Sequence, residues 1–239
     1  SEWTSDTGEQ MQSQGRNYLA SMGIYVFNKV ILYTLLNEVH AKATDFGKEI
    51  IPDSIAHYKV ISYQYDGYWT DIGNIYSFFE ANIALTADIP PFNLFDSAKT
   101  IYTRSRMLPP AKISGTIINK AIIAEGSIIH AKEITQSVIG IRSRIGEGTV
   151  IKNAYIMGCD YYETIEQIHQ KTQSGKPILG IGERCTIEDA IVDKNCSIGN
   201  DVHIKGGAHL EKVDHPLYTI KDHIIVIKKG AIIPNGFKI

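Results

Sequence analysis

Tyr68-Trp69-Thr70-Asp71-Ile72-Gly73-Asn74 places one of the chain's two tryptophans two residues from a carboxylate. The segment either ends a strand and starts a helix, or it forms one wall of an active site. By residue type alone, Asp71 reads as the N-cap of a helix beginning near Ile72 or Gly73. Its oxygens also suit a hard divalent cation. Trp69 reads as a core side chain or as the wall of a pocket. Ser21 and Tyr25 lie four apart, a spacing that puts both on one face of a strand, within reach of one pocket. Asp45-Phe46-Gly47 lacks the neighbours of the kinase motif with the same letters. The eight histidines form no HxxH or HExxH pattern, so no metal site built on His is expected. Cys159, Cys185 and Cys196 are widely spaced, without a CxxC, and read as reduced thiols of a cytoplasmic protein.

These residues need elements to hold them. The run Tyr18–Asn28 reads as a buried strand and Lys29–Ala41 as a helix with apolar residues at helical spacing. Thr44 or Asp45 is placed to cap a short helical turn reaching Ile50-Ile51 before Pro52. Lys59–Tyr65 alternates as a strand, Asp66-Gly67 turns the chain, and a helix follows Asp71. Residues 91–112, rich in Pro and without periodicity, read as a linker. The polar start of the chain is no signal peptide. A net charge of -2 offers no basic footprint for nucleic acid and no polybasic reason to sit on a membrane. No apolar run approaches the ~20 residues that span a bilayer.

From residue 113 the rhythm changes. An aliphatic residue recurs every five or six positions, at Ile117, Ile123, Ile129, Ile134, Ile139, Ile145, Ile151 and Ile156, and again at Ile181, Ile187, Val192, Ile198 and Ile204. Gly follows several of them, as at 140, 146, 182 and 199, and is expected to supply positive φ at tight corners. This hexapeptide period predicts a parallel β-helix over 113–239. The stretch 158–179 lacks the ladder and is expected to loop out of it.

The segments ASMGIYVF (20–27), DFGKEIIP (45–52), YDGYWTDIGNIYSFFEANIALT (65–86), IYTRSRMLPPAKI (101–113), GCDYYET (158–164) and IVDKNCSIG (191–199) carry a resemblance. Together they resemble the C-terminal portion of ADP-glucose pyrophosphorylase, glucose-1-phosphate adenylyltransferase. The resemblance implies the C-terminal part of a Rossmann-like nucleotidyltransferase domain over residues 1–90, then a left-handed parallel β-helix. It implies an enzyme that makes ADP-glucose and pyrophosphate from ATP and glucose 1-phosphate for glycogen or starch synthesis. Mg²⁺ dependence, allosteric control by phosphorylated metabolites and a homotetramer are implied with it. The family's Gly-rich nucleotide loop, first metal-binding Asp and Glu-Lys-Pro are not found here. The chain therefore reads as a C-terminal fragment, expected to be inactive alone.

Residue by residue, the resemblance implies that Asp71 is a catalytic metal ligand. It implies that Ser21, Tyr25, Asp45, Phe46 and Trp69 contact glucose 1-phosphate, with Glu49 orienting the site. Arg106, Lys112, Lys194 and Lys228 match basic positions of the regulatory site, where Arg and Lys from separate segments converge on a phosphate. Two other readings stand beside this one. One is a β-helix acyltransferase using acetyl-CoA, with His130 or His203 as base. The other is a non-catalytic regulatory or assembly subunit.

Overall fold

The computed structural model describes residues 21–239, divided into two compact units, one ending at Trp69 and one running from Thr70 to Ile239. Part of the expected first strand, residues 18–20, lies outside the described residues.

In the first unit the helical expectations hold and the strand expectations do not. Helix α1 (Lys29–Thr34) starts at Asn28, whose Oδ1 accepts from the Val30 N–H at 3.0 Å, and continues as a wider π-type turn over Leu35–Val39. A second such turn, Phe46–Ile50, runs into α2 (Ile51–His57). Pro52 does not end this helix. It sits in the first turn of α2, where its missing N–H costs nothing. Residues 21–28 and 59–65 are bent or extended but belong to no sheet. A strand exists only through a hydrogen-bonded neighbour, and none of the described residues supplies one. Ile24 and Val26, 73% and 98% exposed, show that this run is not buried here.

In the second unit, α3 (Ile75–Ile83) begins at Asn74, whose Oδ1 accepts from the Ser77 N–H at 2.8 Å. The expected capping role of Asp71 is therefore filled three residues later. The strands follow: β1 (Lys112–Ile113), β2 (Ile117–Ile123), β3 (Ile128–Ile129), β4 (Glu133–Ile139), β5 (Arg144–Ile145) and β6 (Val150–Ile156). Helix α4 (Ile165–Gln173) interrupts them. After it come β7 (Gly180–Ile181), β8 (Thr186–Val192), β9 (Ser197–Ile198), β10 (His203–Lys205), β11 (Val213–Asp214), β12 (Tyr218–Lys221), β13 (Ile224–Ile227) and β14 (Ile232–Ile233).

Two parallel ladders run up a coil. One is β1-β3-β5-β7-β9-β14. The other is β2-β4-β6-β8-β13, extended by antiparallel β12 and β11, with β10 also paired to β8. Ile118 pairs with Ile134 and Ile134 with Ile151, so a circuit takes 16 or 17 residues. Each seven-residue strand turns a corner at a left-handed residue, Lys120, Gln136, Asn153 or Asp189, with φ of 50, 48, 43 and 48°. The strand therefore serves two walls and the short ladder a third.

One aliphatic side chain per wall points inward. Ile129, Ile145, Ile181, Ile198 and Ile233 stack on the first wall, and Ile134, Ile151, Ile187 and Ile204 on the second. Ile139, Ile156, Val192 and Ile227 stack on the third. None of these is more than 4% exposed. Each contributes roughly 1.5–3 kcal/mol of hydrophobic stabilisation. Twelve of the thirteen periodic positions lie in or beside this core. The exception is Ile117, 65% exposed, because the residue in register with Ile134 is Ile118.

The Ile-Gly steps have a different cause from the one expected. Gly140, Gly146, Gly182 and Gly199 are not positive-φ residues. A Cβ on Gly146 would lie 2.6 Å from the backbone carbon of Gly182 in the next coil. Close coil stacking, not corner geometry, excludes a side chain there.

Two features dress the coil. Helix α3 lays Phe79 and Ile83 against Ile191 and Ile224, with the Phe78 ring 5.6 Å from that of Tyr155. It therefore packs on the β-helix although it reads in sequence with the first half. Residues 158–179 loop out as expected and contain α4, opened by a capping box between Thr164 and Gln167. Ile145 still pairs directly with Ile181, so the excursion leaves the ladder unbroken. Among the described residues no helix is long and apolar enough to cross a membrane.

Candidate functional site

Ser21, Tyr25, Asp45 and Phe46 meet in the first unit. The chain bends at Gly23, whose φ is 72° and whose N–H donates to Ser21 Oγ at 3.1 Å. That bend, and not strand alternation, brings Ser21 Oγ to 2.9 Å from the Tyr25 hydroxyl. The Tyr25 ring stacks on Phe46 with centroids 6.0 Å apart and planes 21° from parallel. Phe27 leans on both rings, at 6.4 and 5.8 Å. Sequence reasoning missed Phe27, although its two-residue spacing from Tyr25 already placed both on one side of an extended chain.

Asp45 sits at the start of the Phe46–Ile50 turn, where Oδ1 accepts from the Lys48 N–H at 2.9 Å. Glu49 reaches back, and its Oε1 accepts from the Thr44 and Asp45 N–H groups at 2.8 and 3.0 Å. The two carboxylates thus satisfy amides that the turn leaves unpaired. The Thr44 and Asp45 N–H groups hold the Glu49 carboxyl below the ordinary carboxylate range. Gly47 lies beneath the polar groups. A Cβ there would come within 3.4 Å of Asp45 Oδ1 and 3.5 Å of the Tyr25 hydroxyl. Hydroxyl, phenol and carboxylate therefore gather over an aromatic floor, a set able to hydrogen-bond a polyol.

Trp69 does not join this group. It is 46% exposed, and no ring contact or hydrogen bond ties it to the cluster among the described residues. Asp71 belongs to the second unit and is described within it. Its Oδ1 accepts from the Gly73 N–H at 2.9 Å, which makes an Asx turn, and the carboxylate is otherwise exposed. Among the described residues no three metal-ligating side chains converge.

The four basic residues of the second unit divide. Lys194 Nζ lies 2.8 Å from Asp160 Oδ1, and Asn195 Nδ2 donates to Asp160 Oδ2 at 3.0 Å. Lys228 Nζ lies 2.6 Å from Asp214 Oδ1. The Lys194 carbonyl accepts from the Gly230 N–H at 2.9 Å, so these two lysines sit on adjacent coils. Lys194, and then Asn195, hold the Asp160 carboxyl below its usual range, and Lys228 does the same to Asp214. Lys112 is elsewhere. It lies on β1, four ladder steps from β9, which at strand spacing is about 19 Å along the coil. Arg106 is exposed on the segment preceding β1. Asp160 and Asn195 were not singled out in the sequence, since each is an unremarkable polar residue until stacking places them side by side.

Two comparisons bear on these arrangements. Residues 106–237 match the model of the GLGC left-handed parallel beta-helix domain. Residues 9–88 match the model of the nucleotidyl transferase family.

Proposed function

The chain belongs to the family of the GLGC left-handed parallel β-helix domain, with a nucleotidyl transferase segment before it, and from that premise we propose that it serves a glucose-1-phosphate adenylyltransferase. The observation that carries this reading is the Ser21–Tyr25–Asp45–Phe46 cluster, a sugar-compatible surface built by the segment that matches the transferase model. In the reaction an oxygen of glucose 1-phosphate attacks the α-phosphorus of ATP. The bond from that phosphorus to the bridging oxygen breaks, and pyrophosphate leaves. Ser21, Tyr25 and Asp45 hydrogen-bond the sugar over the aromatic floor of Tyr25 and Phe46. Their contribution is orientation of the attacking group.

Asp71 fits Mg²⁺ as one of its protein ligands. One oxygen is steadied by the Gly73 N–H, and the exposed carboxylate offers the hard donors that Mg²⁺ takes one or two at a time alongside substrate phosphates. The ion, when bound, supplies neutralisation of charge on the phosphates. The paired lysines 194 and 228 bind a phosphorylated metabolite that displaces Asp160 and Asp214 as their partners, so the enzyme is regulated. Arg106 and Lys112 add positive charge at other points of the second unit. The active form is a homotetramer serving glycogen or starch synthesis.

The test is a panel of nucleotides. The full-length gene product is given glucose 1-phosphate with ATP, UTP, CTP or dTTP, and pyrophosphate release is followed. ATP as the preferred donor, by about tenfold or more in kcat/KM, supports the reading. Preference for another nucleotide would keep the transferase class and overturn the adenylyl assignment.

A further inference from the structure

A cleft of about 110 Å³ lies between the 158–179 excursion and the first turns of the β-helix. It has room for several water-sized groups. One side is built by Arg142 and Arg144, the other by Tyr161, Tyr162 and Glu163. The excursion is fastened over it at two points. The Tyr162 hydroxyl donates to the Gly126 carbonyl at 2.8 Å, and Glu163 Oε2 accepts from the Leu179 N–H at 2.8 Å.

The charge in the cleft is unbalanced. Glu163, with its side chain 7% exposed, is already satisfied, since Oε1 pairs with Lys171 while Oε2 holds the Leu179 amide. The Arg142 guanidinium lies 5.7 Å from the centre of the Tyr162 ring, and its hydrogen bond is a long one, 3.4 Å to the Cys159 carbonyl. The Arg144 side chain has no hydrogen-bond or ion-pair partner among the described residues. Two half-buried arginines, each with five N–H donors, thus line one space whose carboxylate is engaged elsewhere. Burying a cation without its counter-charge is costly, and the cost falls when an anion arrives.

We infer that this cleft binds the phosphate group of a small molecule, held by Arg142 and Arg144 beneath the tyrosines of the excursion. Guanidinium forks match phosphate oxygens in pairs, and the exposed Tyr161 offers a further donor at the rim. The site is separate from the Lys194–Lys228 pair, whose ammonium groups already have carboxylate partners. Binding ties the excursion to the coils beneath it and stiffens residues 160–179.

Calorimetric titration of the full-length protein with inorganic phosphate, and separately with a three-carbon phosphate monoester, tests this. We expect binding that weakens about tenfold or more in Arg144→Gln, the scale of a charge-assisted contact, and that is kept in Lys205→Gln, whose ammonium pairs with Glu188 and does not line the cleft. The tighter of the two probes identifies the source of the phosphate. Hydrogen exchange locates it independently of any variant. Phosphate should slow exchange in 160–179 and around 142–144. Binding unchanged in Arg144→Gln, or protection confined to 193–195 and 228–230, would overturn the assignment.

Discussion

Single hydroxyls separate recognition from support at the residue scale. The Tyr25 ring rests on Phe46, whereas its hydroxyl meets Ser21. Tyr25→Phe keeps the stack and removes the polar tip. It should lower kcat/KM for glucose 1-phosphate about tenfold, the worth of one lost hydrogen bond, with the melting temperature unchanged. Wild-type kinetics in this variant would remove Tyr25 from the proposed sugar site. The proximity of Ser21 and Tyr25 was legible from their spacing, but its cause was not. A strand was expected, and a bend at Gly23 does the work, because backbone curvature is invisible in residue type. The thiols make a second prediction. Burial pushes Cys159 and Cys196 from 9.0 up to about 11. The folded state then holds these protons after the unfolded chain has released them, so their contribution is whole below pH 9 and is lost as pH rises toward 11. Denaturant titrations across that range should show falling stability, and at pH 8 a thiol reagent should label both cysteines slowly until the protein unfolds.

The β-helix is the element most plainly written in the sequence. Each coil must fill the same interior with the same few side chains, so the demand repeats and a period appears. Its first coil is where that reading slips. Ile117 and Ile118 are equivalent by composition, and only register with Ile134 distinguishes them. A stability comparison checks this. Ile151→Ala, in the closed core, should cost 2–5 kcal/mol, on the order of other buried aliphatic truncations. Ile117→Ala should lie within about 0.5 kcal/mol of wild type. Equal losses at both positions would mean that the assigned register is wrong. The strands expected at 18–28 and 59–65 were harder to judge, because strand propensity says only that a segment suits a sheet. Helix α3 shows the same limit. Its apolar face was legible, but the surface it covers, Ile191 and Ile224, lies more than a hundred positions on.

For the whole molecule, the order of the two family matches, transferase segment then β-helix, agrees with the order of motifs in the sequence. Each unit carries its own part of the proposed chemistry, the Ser21–Tyr25–Asp45–Phe46 cluster in one and Asp71 with Lys194 and Lys228 in the other. Lys194 and Lys228 were legible only as separate charges, since their place on adjacent coils depends on which coil stacks on which. Asp71 is the residue on which the reading turns, because a simple turn-forming role and a metal-ligating role predict different behaviour. The most direct measurement is pyrophosphate-dependent formation of ATP from ADP-glucose by the full-length protein, wild type and Asp71→Asn, with Mg²⁺ varied. The account predicts wild-type turnover that rises with Mg²⁺ and a loss of about 100-fold or more in the variant, the scale of one strong electrostatic contact. Near-normal turnover in Asp71→Asn would contradict it, leaving Asp71 as the Asx-turn residue that holds Gly73.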